Sequence, residues 1–592
     1  MTTLPRSDAR PDPRDPFFVQ APPQLADSWL DDALLRSWIA RTVDPEVRRA
    51  IEPELAEMGA LAGGRLAELA ARHRCDEPEY VPFDAWGRRT DEVRVNAAWR
   101  EYARIAAERG LVALGYERTH GRFSRVHQFA LVHLFHPSSQ FYTCPLAMSD
   151  GAARTLERLG QSLGATRERA LAHLTSRDPA RAWTSGQWMT ERTGGSDVGL
   201  SETIARCGED GVWRLSGIKW FTSALTSQMA LTLARPEGNG PGGKGLALFY
   251  VELRDADGRL RNIDVLRLKD KLGTRNLPTA ELRLDGTPAE PIAALGDGIR
   301  NMTHMLNLTR TWNAVCATSS LRRGLALARD YARRRVAFGA SLAEKPLHLE
   351  TLADLAAESE AAFALTFHTI ARLGAHEVGE GDARSEALLR LLHPIAKLCT
   401  GRQAVAGASE VLEAFAGAGY IEDTGLPELL RDAQVYPIWE GTTNVLALEA
   451  VRAVGRVDAL APALEEIRGR ARSAQSPVLR APAAAALAAA DHLEAWWTGA
   501  SARGAALHEA GLRRFALTVG RSMALALLVE HADWALARGD GRTAAAARRF
   551  ARNGVDWLCD DEEPFAATTG LALGDLVEPS VLDFGAAAGR PA

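Results

Sequence analysis

The sequence predicts a mainly α-helical protein with a central β-domain and an additional helical region at its C-terminal end. Apolar residues recur at helical spacing from about 28 to 180 and again from about 298 to 452. Between these stretches, over about 181–290, the pattern changes to alternation punctuated by glycine. The chain has 592 residues, too many for one hydrophobic core, so several packed domains are expected.

Residues 1–27 read as a Pro-rich extension. Pro5, Pro11, Pro13, Pro16, Pro22 and Pro23 each lack an N–H and fix φ, which denies the segment a helix. An N-terminal helical domain is expected over 28–180. Leu30, Ala33, Leu34 and Ile39 begin an amphipathic run, Leu55, Met58, Leu61, Leu66 and Leu69 continue it, and Asp150 to Leu174 reads as a helix pair. In the β-domain, 181–290, the stretches Gly211–Phe221, Leu246–Leu253 and Glu281–Gly286 read as strands. Short strands with Gly/Pro turns suggest a small barrel or sandwich. The Gly-rich loop 238–245 lacks the strand–loop–helix context of a phosphate cradle and reads as a hairpin tip. A helical bundle is expected over 291–452, with helices at Thr309–Val336, Leu349–Leu373 and Ser385–Ala406, then Ser409–Phe415 leading into Gly417-Ala-Gly419. Beyond it, 453–592 is rich in Ala and Arg, with helical patterns at 481–497, 511–537 and 542–558 and a tail after Asp560 expected to fray.

Apolar content of 46% and charged content of 24% are those of an ordinary soluble protein, and a net charge of −5 makes no whole-molecule case for a nucleic-acid or membrane partner. The six Cys are far apart, with no CxxC or Cys/His spacing, so neither a metal site nor a disulfide framework is expected. With no apolar h-region and no run approaching eighteen apolar residues, the expected address is cytoplasmic, without a membrane span. Residues 453–592 carry 15 Arg and no Lys against 17 Asp plus Glu. The cluster Arg542, Arg548, Arg549 and Arg552 therefore reads as a solvated, ion-paired face before a nucleic-acid site. Trp496 and Trp497 read as core or interface aromatics, and His304, His348 and His393 as satisfied hydrogen-bonding side chains.

Two stretches carry chemistry. In the first, Trp188-Met-Thr-Glu-Arg-Thr-Gly-Gly-Ser-Asp-Val198 runs from a strand-like start into a turn, and Lys219-Trp-Phe-Thr-Ser223 follows. Gly194 and Gly195 permit positive φ or close approach to a ligand. An ordinary β-turn and a loop gripping something flat and polar both satisfy this pattern. In the second, Arg431-Asp-Ala-Gln-Val-Tyr-Pro-Ile-Trp-Glu-Gly-Thr-Thr-Asn444, the carboxylate of Glu440 stands after Ile438 and Trp439, in a setting of partial desolvation that suits a general base.

The motif Thr-Glu-x-x-x-Gly-Ser-Asp-Val followed by Lys-Trp-Phe-Thr resembles the flavin-binding signature of the acyl-CoA dehydrogenase family. Met189–Val198, Arg267-Leu-Lys-Asp-Lys-Leu-Gly273 and Phe83-Asp-Ala-Trp-Gly-Arg-Arg-Thr-Asp-Glu-Val93 resemble its AidB-type, DNA-alkylation-response branch, over roughly 80–452. The resemblance implies an N-terminal helical domain, a β-barrel or sandwich, and a C-terminal four-helix bundle that also forms the subunit interface of a homotetramer. It implies FAD as cofactor. The positions that match FAD contacts are Met189, Thr190, Gly195, Ser196, Trp220, Thr222, Ser223, Gly417, Thr442 and Asn444, with Arg335 and Phe338 reaching a neighbouring subunit's FAD. Ser196 and Arg310 match positions at the substrate, and Arg310 also reads as a structural ion pair. Trp-Glu-Gly-Thr resembles the motif of the catalytic glutamate, which makes Glu440 the implied base; the alternative family position, near Asn307-Leu-Thr-Arg310, has no carboxylate. In the implied reaction Glu440 takes the α-proton of an acyl-CoA thioester while the β-hydride passes to the flavin.

Gln187-Trp188 departs from the aromatic that often precedes the signature, Arg192-Thr193-Gly194-Gly195 departs from Pro-Gly-Ala-Gly, and Pro346 replaces a Gln. Three functions follow. The first is an acyl-CoA dehydrogenase, with an electron-transfer flavoprotein as a candidate acceptor. The second is an AidB-type protein protecting against alkylation by binding DNA, for which 453–592 supplies no net basic surface. The third is a flavin oxidase or monooxygenase on the same fold.

Overall fold

The computed structural model describes residues 22–25, 27–499, 504–559 and 565–582; most of the Pro-rich extension and of the tail expected after Asp560 lies outside them. Of the extension, the Pro22 carbonyl accepts from Arg334 and the Gln24 N–H donates to Asp330, which lays this strand of chain along a bundle helix.

The N-terminal region packs helices α1 (Ala33–Thr42), α2 (Pro45–Gly63), α3 (Arg65–Arg72), α4 (Ala97–Glu108), α5 (Ser124–Phe135), α6 (Thr143–Leu159) and α7 (Ala165–Leu174). The pair expected over Asp150–Leu174 is α6 and α7, with α6 starting earlier than its apolar pattern. The expectation of helix throughout 28–180 is corrected at one place. Strands β1 (Glu79–Phe83) and β2 (Arg89–Arg94) form an antiparallel hairpin whose register shifts between Val81 and Phe83, at Pro82. Proline cannot donate to the ladder, and the bulge accommodates it. Asp91 fixes the hairpin to the β-domain, accepting from Tyr80 Oη at 2.6 Å and from the Val265 N–H at 3.2 Å.

The β-domain holds β3 (Ser185–Trp188), β4 (Ile204–Cys207), β5 (Trp213–Ser223), β6 (Met229–Pro236), β7 (Ala247–Glu252), β8 (Ile263–Leu268) and β9 (Thr279–Pro291). The pairings β6–β7, β7–β9, β9–β5, β5–β4 and β4–β6 close on themselves, a five-strand barrel with β3 added to β6 and β8 to β9. Trp188, Leu215, Phe249, Val251, Ile263, Leu282 and Leu284 fill it. The loop 238–245 is the connection of the antiparallel β6–β7 pair, as expected.

Three long helices follow, α8 (Thr303–Arg334), α9 (Pro346–Glu377) and α10 (Ala383–Ala414), then α11 (Leu426–Ala433) and α12 (Thr443–Val457). The two helical stretches expected at Ser385–Ala406 and Ser409–Phe415 are one continuous helix, α10. Between α8 and α9, Val336–Ala337 and Ala340–Ser341 form a two-strand hairpin, β10 and β11, with Phe338 at its tip. The C-terminal region adds α13 (Leu460–Ser473), α14 (Arg480–Thr498), α15 (Ala505–Leu536) and α16 (Arg542–Arg552). It shares one core with the bundle: Leu365 of α9 and Leu391, Ile395 and Cys399 of α10 belong to the same cluster as Leu464, Trp496, Phe515, Met523 and Phe550. The helix α15 is long and apolar enough to cross a membrane, yet 94% of that stretch is buried inside the protein, which is the character of a core helix. Arg549 pairs with Glu350 and Asp354, Arg552 with Glu350, and Arg542 with Asp540, so these three arginines form an ion-paired face.

The close approach of α10 and α15 depends on Gly520, where a Cβ would stand 2.3 Å from Cys399 Sγ and 2.9 Å from Ile395 Cγ2. Gly520→Val should destabilise the protein by about 1–3 kcal/mol through overpacking. Urea unfolding would measure this, and the loss should be smaller in Gly520→Val/Cys399→Ala, which vacates the colliding sulfur.

Candidate active site

Glu440 sits in a backbone conformation that non-glycine residues avoid. Its φ is +57° and that of Gly441 is +104°, two left-handed residues in succession. Such a residue costs on the order of 1–3 kcal/mol and persists where its surroundings over-determine it. Two buried cations do so here. Arg310 Nε, on α8, donates to the Glu440 carbonyl at 3.1 Å, and Lys397 Nζ, on α10, donates to the Gly441 carbonyl at 2.5 Å. The two Nη groups of Arg310 grip Glu449 of α12 at 2.5 and 2.8 Å. The turn is thereby tied to three helices. Burial pushes Lys397 down to about 7, against the pull of the Glu440 carboxylate.

The turn presents the Glu440 carboxylate to the β-domain. Thr309 Oγ1 donates to its Oε2 at 2.8 Å, and Gln187 Nε2, on β3, approaches the same oxygen at 3.4 Å. Arg310, expected at the substrate, has Nε and both Nη groups engaged within the protein and is 3% exposed. It lies directly behind the Glu440 turn, and the ion pair with Glu449 is present.

The signature segment leaves β3 through buried Met189. The Thr190 carbonyl accepts from the Trp220 N–H at 2.9 Å, which sets the two signature stretches side by side. Beneath them Lys219 Nζ meets Glu191 Oε1 at 2.6 Å, with the two side chains 0% and 2% exposed. Lys219 also donates to the Leu233 carbonyl, while Glu191 accepts from Thr203 Oγ1 and from the Glu202 and Thr203 N–H groups. Burial alone would raise the Glu191 carboxyl, but Lys219 and these hydrogen bonds hold it below the usual range. Gly195 lets the loop fold onto Thr190, since a Cβ there would stand 2.7 Å from Thr190 Oγ1. Ser196 follows, exposed.

On β5, Trp220 and Phe221 together face one residue of β9, because the register shifts between Lys219 and Thr222. This bulge re-aims the half-buried Trp220, whose ring centre lies 4.0 Å from Lys269 Nζ. Thr222 is fully buried and its hydroxyl donates to the Ala280 carbonyl, so its side chain serves the barrel and only its backbone is left for a ligand. Ser223 Oγ lies 3.1 Å from Thr279 Oγ1.

Other expected positions lie apart. Thr442 occupies the N-cap position of α12 without a side-chain cap, and Asn444 is in its first turn, exposed, with Oδ1 accepting from Arg513 at 3.3 Å. Gly417 is exposed in the turn after α10. Arg335 and Phe338 follow the far end of α8, roughly 37 Å along the helix from Arg310 at 1.5 Å per residue. Phe338 is 98% exposed, with φ +50°.

A flavin ring fits what this cleft offers. Trp220 stands half-buried with its backbone N–H on the Thr190 carbonyl, and Trp439 Nε1, on the residue before Glu440, is a buried donor without a partner that a ligand could satisfy. The sequence marked Glu440, Arg310 and the loop. Lys219 stood in the second signature stretch and Gln187 among the departures, with no role given to either. It gave no signal for Thr309, Lys397 or Glu449 as partners, since they lie in unrelated helices.

The profile of the adaptive response protein AidB N-terminal domain matches residues 20–178, that of the acyl-CoA dehydrogenase middle domain 186–287, and that of the acyl-CoA dehydrogenase C-terminal domain 296–455. Acyl-CoA dehydrogenase family member 11 of Caenorhabditis elegans is 40% identical over 531 residues, 87% of this chain and 86% of that protein. The AidB protein of Escherichia coli (strain K12) is 31% identical over 461 residues, 76% of this chain and 81% of that one. The crystal structure of Caenorhabditis elegans ACDH-11 in complex with C11-CoA superposes with a TM-score of 0.90 at 36% identity, covering 98% of this chain and 100% of that chain.

The Lys397 ammonium, ordinarily near 10.5, is held at about 7, so between these values the unfolded chain binds more protons and stability rises with pH. Below about pH 7 the cost of burying the charge is fully present. Lys397→Met should therefore compare best with the wild type at pH 6 and lose ground steadily towards pH 10, in urea midpoints measured across that range.

Proposed function

The chain belongs to the acyl-CoA dehydrogenase family, and on that premise we propose that it is an FAD-dependent acyl-CoA dehydrogenase with Glu440 as its base. The observation that carries this reading is the carboxylate of Glu440, fixed on a clamped left-handed turn and facing the strand that leads into the signature loop. FAD, when bound, supplies the acceptor for the β-hydride at N5 of its ring. Met189, Thr190, Gly195, Ser196, Trp220, Thr222 and Ser223 would hold the ring and its surroundings, with Gly417, Thr442 and Asn444 as later contacts and Ser196 also turned to the substrate.

The chain's own part is positioning and proton transfer. Thr309 orients Glu440 Oε2 with a 2.8 Å hydrogen bond. Glu440 then takes the α-proton, which the thioester carbonyl has acidified. The substrate class is a saturated acyl-CoA, and C11-CoA, the ligand of the ACDH-11 complex, is the natural first probe. An electron-transfer flavoprotein fits as the reoxidant. The working compartment we assign is the cytoplasm, in keeping with six unpaired cysteines. A DNA-binding role draws little support from Arg542, Arg549 and Arg552, which pair with Asp540, Glu350 and Asp354.

The assembly we assign is a homotetramer. Phe338, outermost on its hairpin, and Arg335 beside it stand too far from their own Glu440 to serve the same site, and suit a neighbour's FAD.

Anaerobic titration of the FAD-loaded protein with C11-CoA should bleach the flavin, and Glu440→Gln should slow bleaching by roughly 10²–10⁴-fold. Absence of bleaching with any saturated acyl-CoA would overturn the reading. In a sizing experiment the protein should run as four copies and Phe338→Glu should yield smaller species that lose FAD; a monomer that keeps FAD would refute the assembly.

A further inference from the structure

We propose that Gln187 is a positioning residue whose side-chain amide follows the proton on Glu440, donating to the carboxylate before α-proton abstraction and accepting from the carboxylic acid after it. The proposal rests on the dehydrogenase reading and deepens it.

The geometry before abstraction is lopsided. Glu440 Oε2 has one short partner, Thr309 Oγ1 at 2.8 Å, and one long one, Gln187 Nε2 at 3.4 Å. The long contact lies at the weak end of N–H···O distances. The other half of the same amide, Gln187 Oε1, is buried without a partner. The resting arrangement thus leaves an acceptor unused beside the one group that the reaction turns into a donor.

When Glu440 acts, the α C–H bond breaks, an O–H bond forms on its carboxylate, and the bonding pair stays with the thioester. An ionised carboxylate only accepts hydrogen bonds, whereas a carboxylic acid also donates one. Both neighbours can answer that change. The Thr309 hydroxyl has a second acceptor within reach, the Leu306 carbonyl at 3.1 Å, so its single hydrogen can swing there. The Gln187 amide needs only a half-turn about its broad terminal torsion to bring Oε1 to the new O–H. The other polar groups near Glu440 are engaged elsewhere. Arg310 and Lys397 are committed to backbone carbonyls, and the Cys144 thiol on α6 is pushed well up by burial. Gln187 also stands on the barrel side of the cleft, so this exchange couples the bundle's base to the strand that leads into the signature loop.

The test uses the FAD-loaded protein and a 3-thia-acyl-CoA, whose sulfur at the β-position blocks hydride loss but leaves an acidic α C–H. Exchange of that α-hydrogen with D2O is read by mass spectrometry, beside the analogue's Kd. Gln187→Met and Gln187→Leu remove the amide at similar volume and should slow exchange about tenfold, with Kd within about twofold. Gln187→Glu puts a second carboxylate beside Glu440; the two share one proton, so exchange should be slow near pH 7 and rise towards higher pH as that proton is lost. Exchange unchanged in both apolar variants, or a Gln187→Glu exchange profile that does not move with pH, would overturn the role. A wild type that exchanges no faster than Glu440→Gln would instead overturn the dehydrogenase reading, and this proposal with it.

Discussion

The left-handed turn at Glu440 and Gly441 is the constraint around which this protein is arranged. A glutamate at positive φ is unfavourable, and it survives because Arg310 and Lys397 hold two successive carbonyls from two different helices. Burying cations is costly unless they are hydrogen-bonded and paired. Arg310 meets that demand with Glu449, while Lys397 meets it in part by giving up its proton more readily. The bundle thus commits two basic side chains to the backbone of two successive residues, and the result is a carboxylate whose direction is fixed before any ligand arrives.

The other wall of the cleft is built on a similar plan. Glu191 and Lys219 form a buried pair that locks the signature loop to β5, leaving Thr190 and Trp220 adjacent at the surface. The two walls are registered by Gly273, where a Cβ would collide with the Arg431 backbone, and by the Thr274 N–H donating to Asp432. This explains why 267–273 reads as a motif although none of its side chains reaches Glu440. Lys271 braces the turn by donating to the Thr274 and Leu277 carbonyls, and burial pushes it down to about 8.

Much of the fold was legible in sequence because its signals are local. Apolar spacing marked the long helices, and glycine-punctuated alternation marked the barrel. The β1–β2 hairpin escaped because Pro82 interrupts one strand and Arg89–Arg94 is nearly all polar, so neither carries a strand's alternation. Glu440 was singled out by the resemblance of Trp-Glu-Gly-Thr to the family's catalytic-glutamate motif and by Ile438 and Trp439 beside it; a glutamate before a glycine is by itself unremarkable. Its partners were not: Thr309 is 131 positions away and Gln187 is 253, and no local pattern announces a contact made only by packing. Thr222 shows the converse, a motif residue whose hydroxyl belongs to the barrel.

The core shared between the bundle and the last helices has a bearing on synthesis. The faces of α9 and α10 that carry Leu365, Leu391 and Ile395 are covered by residues as late as Phe550. At typical elongation rates of about 5–20 residues per second, α10 leaves the ribosome roughly ten seconds or more before that cover exists. During this interval α9 and α10, the latter carrying Lys397, leave that apolar flank uncovered. The bundle is therefore complete only once the last helices have packed against it, and the C-terminal region is part of its folding unit.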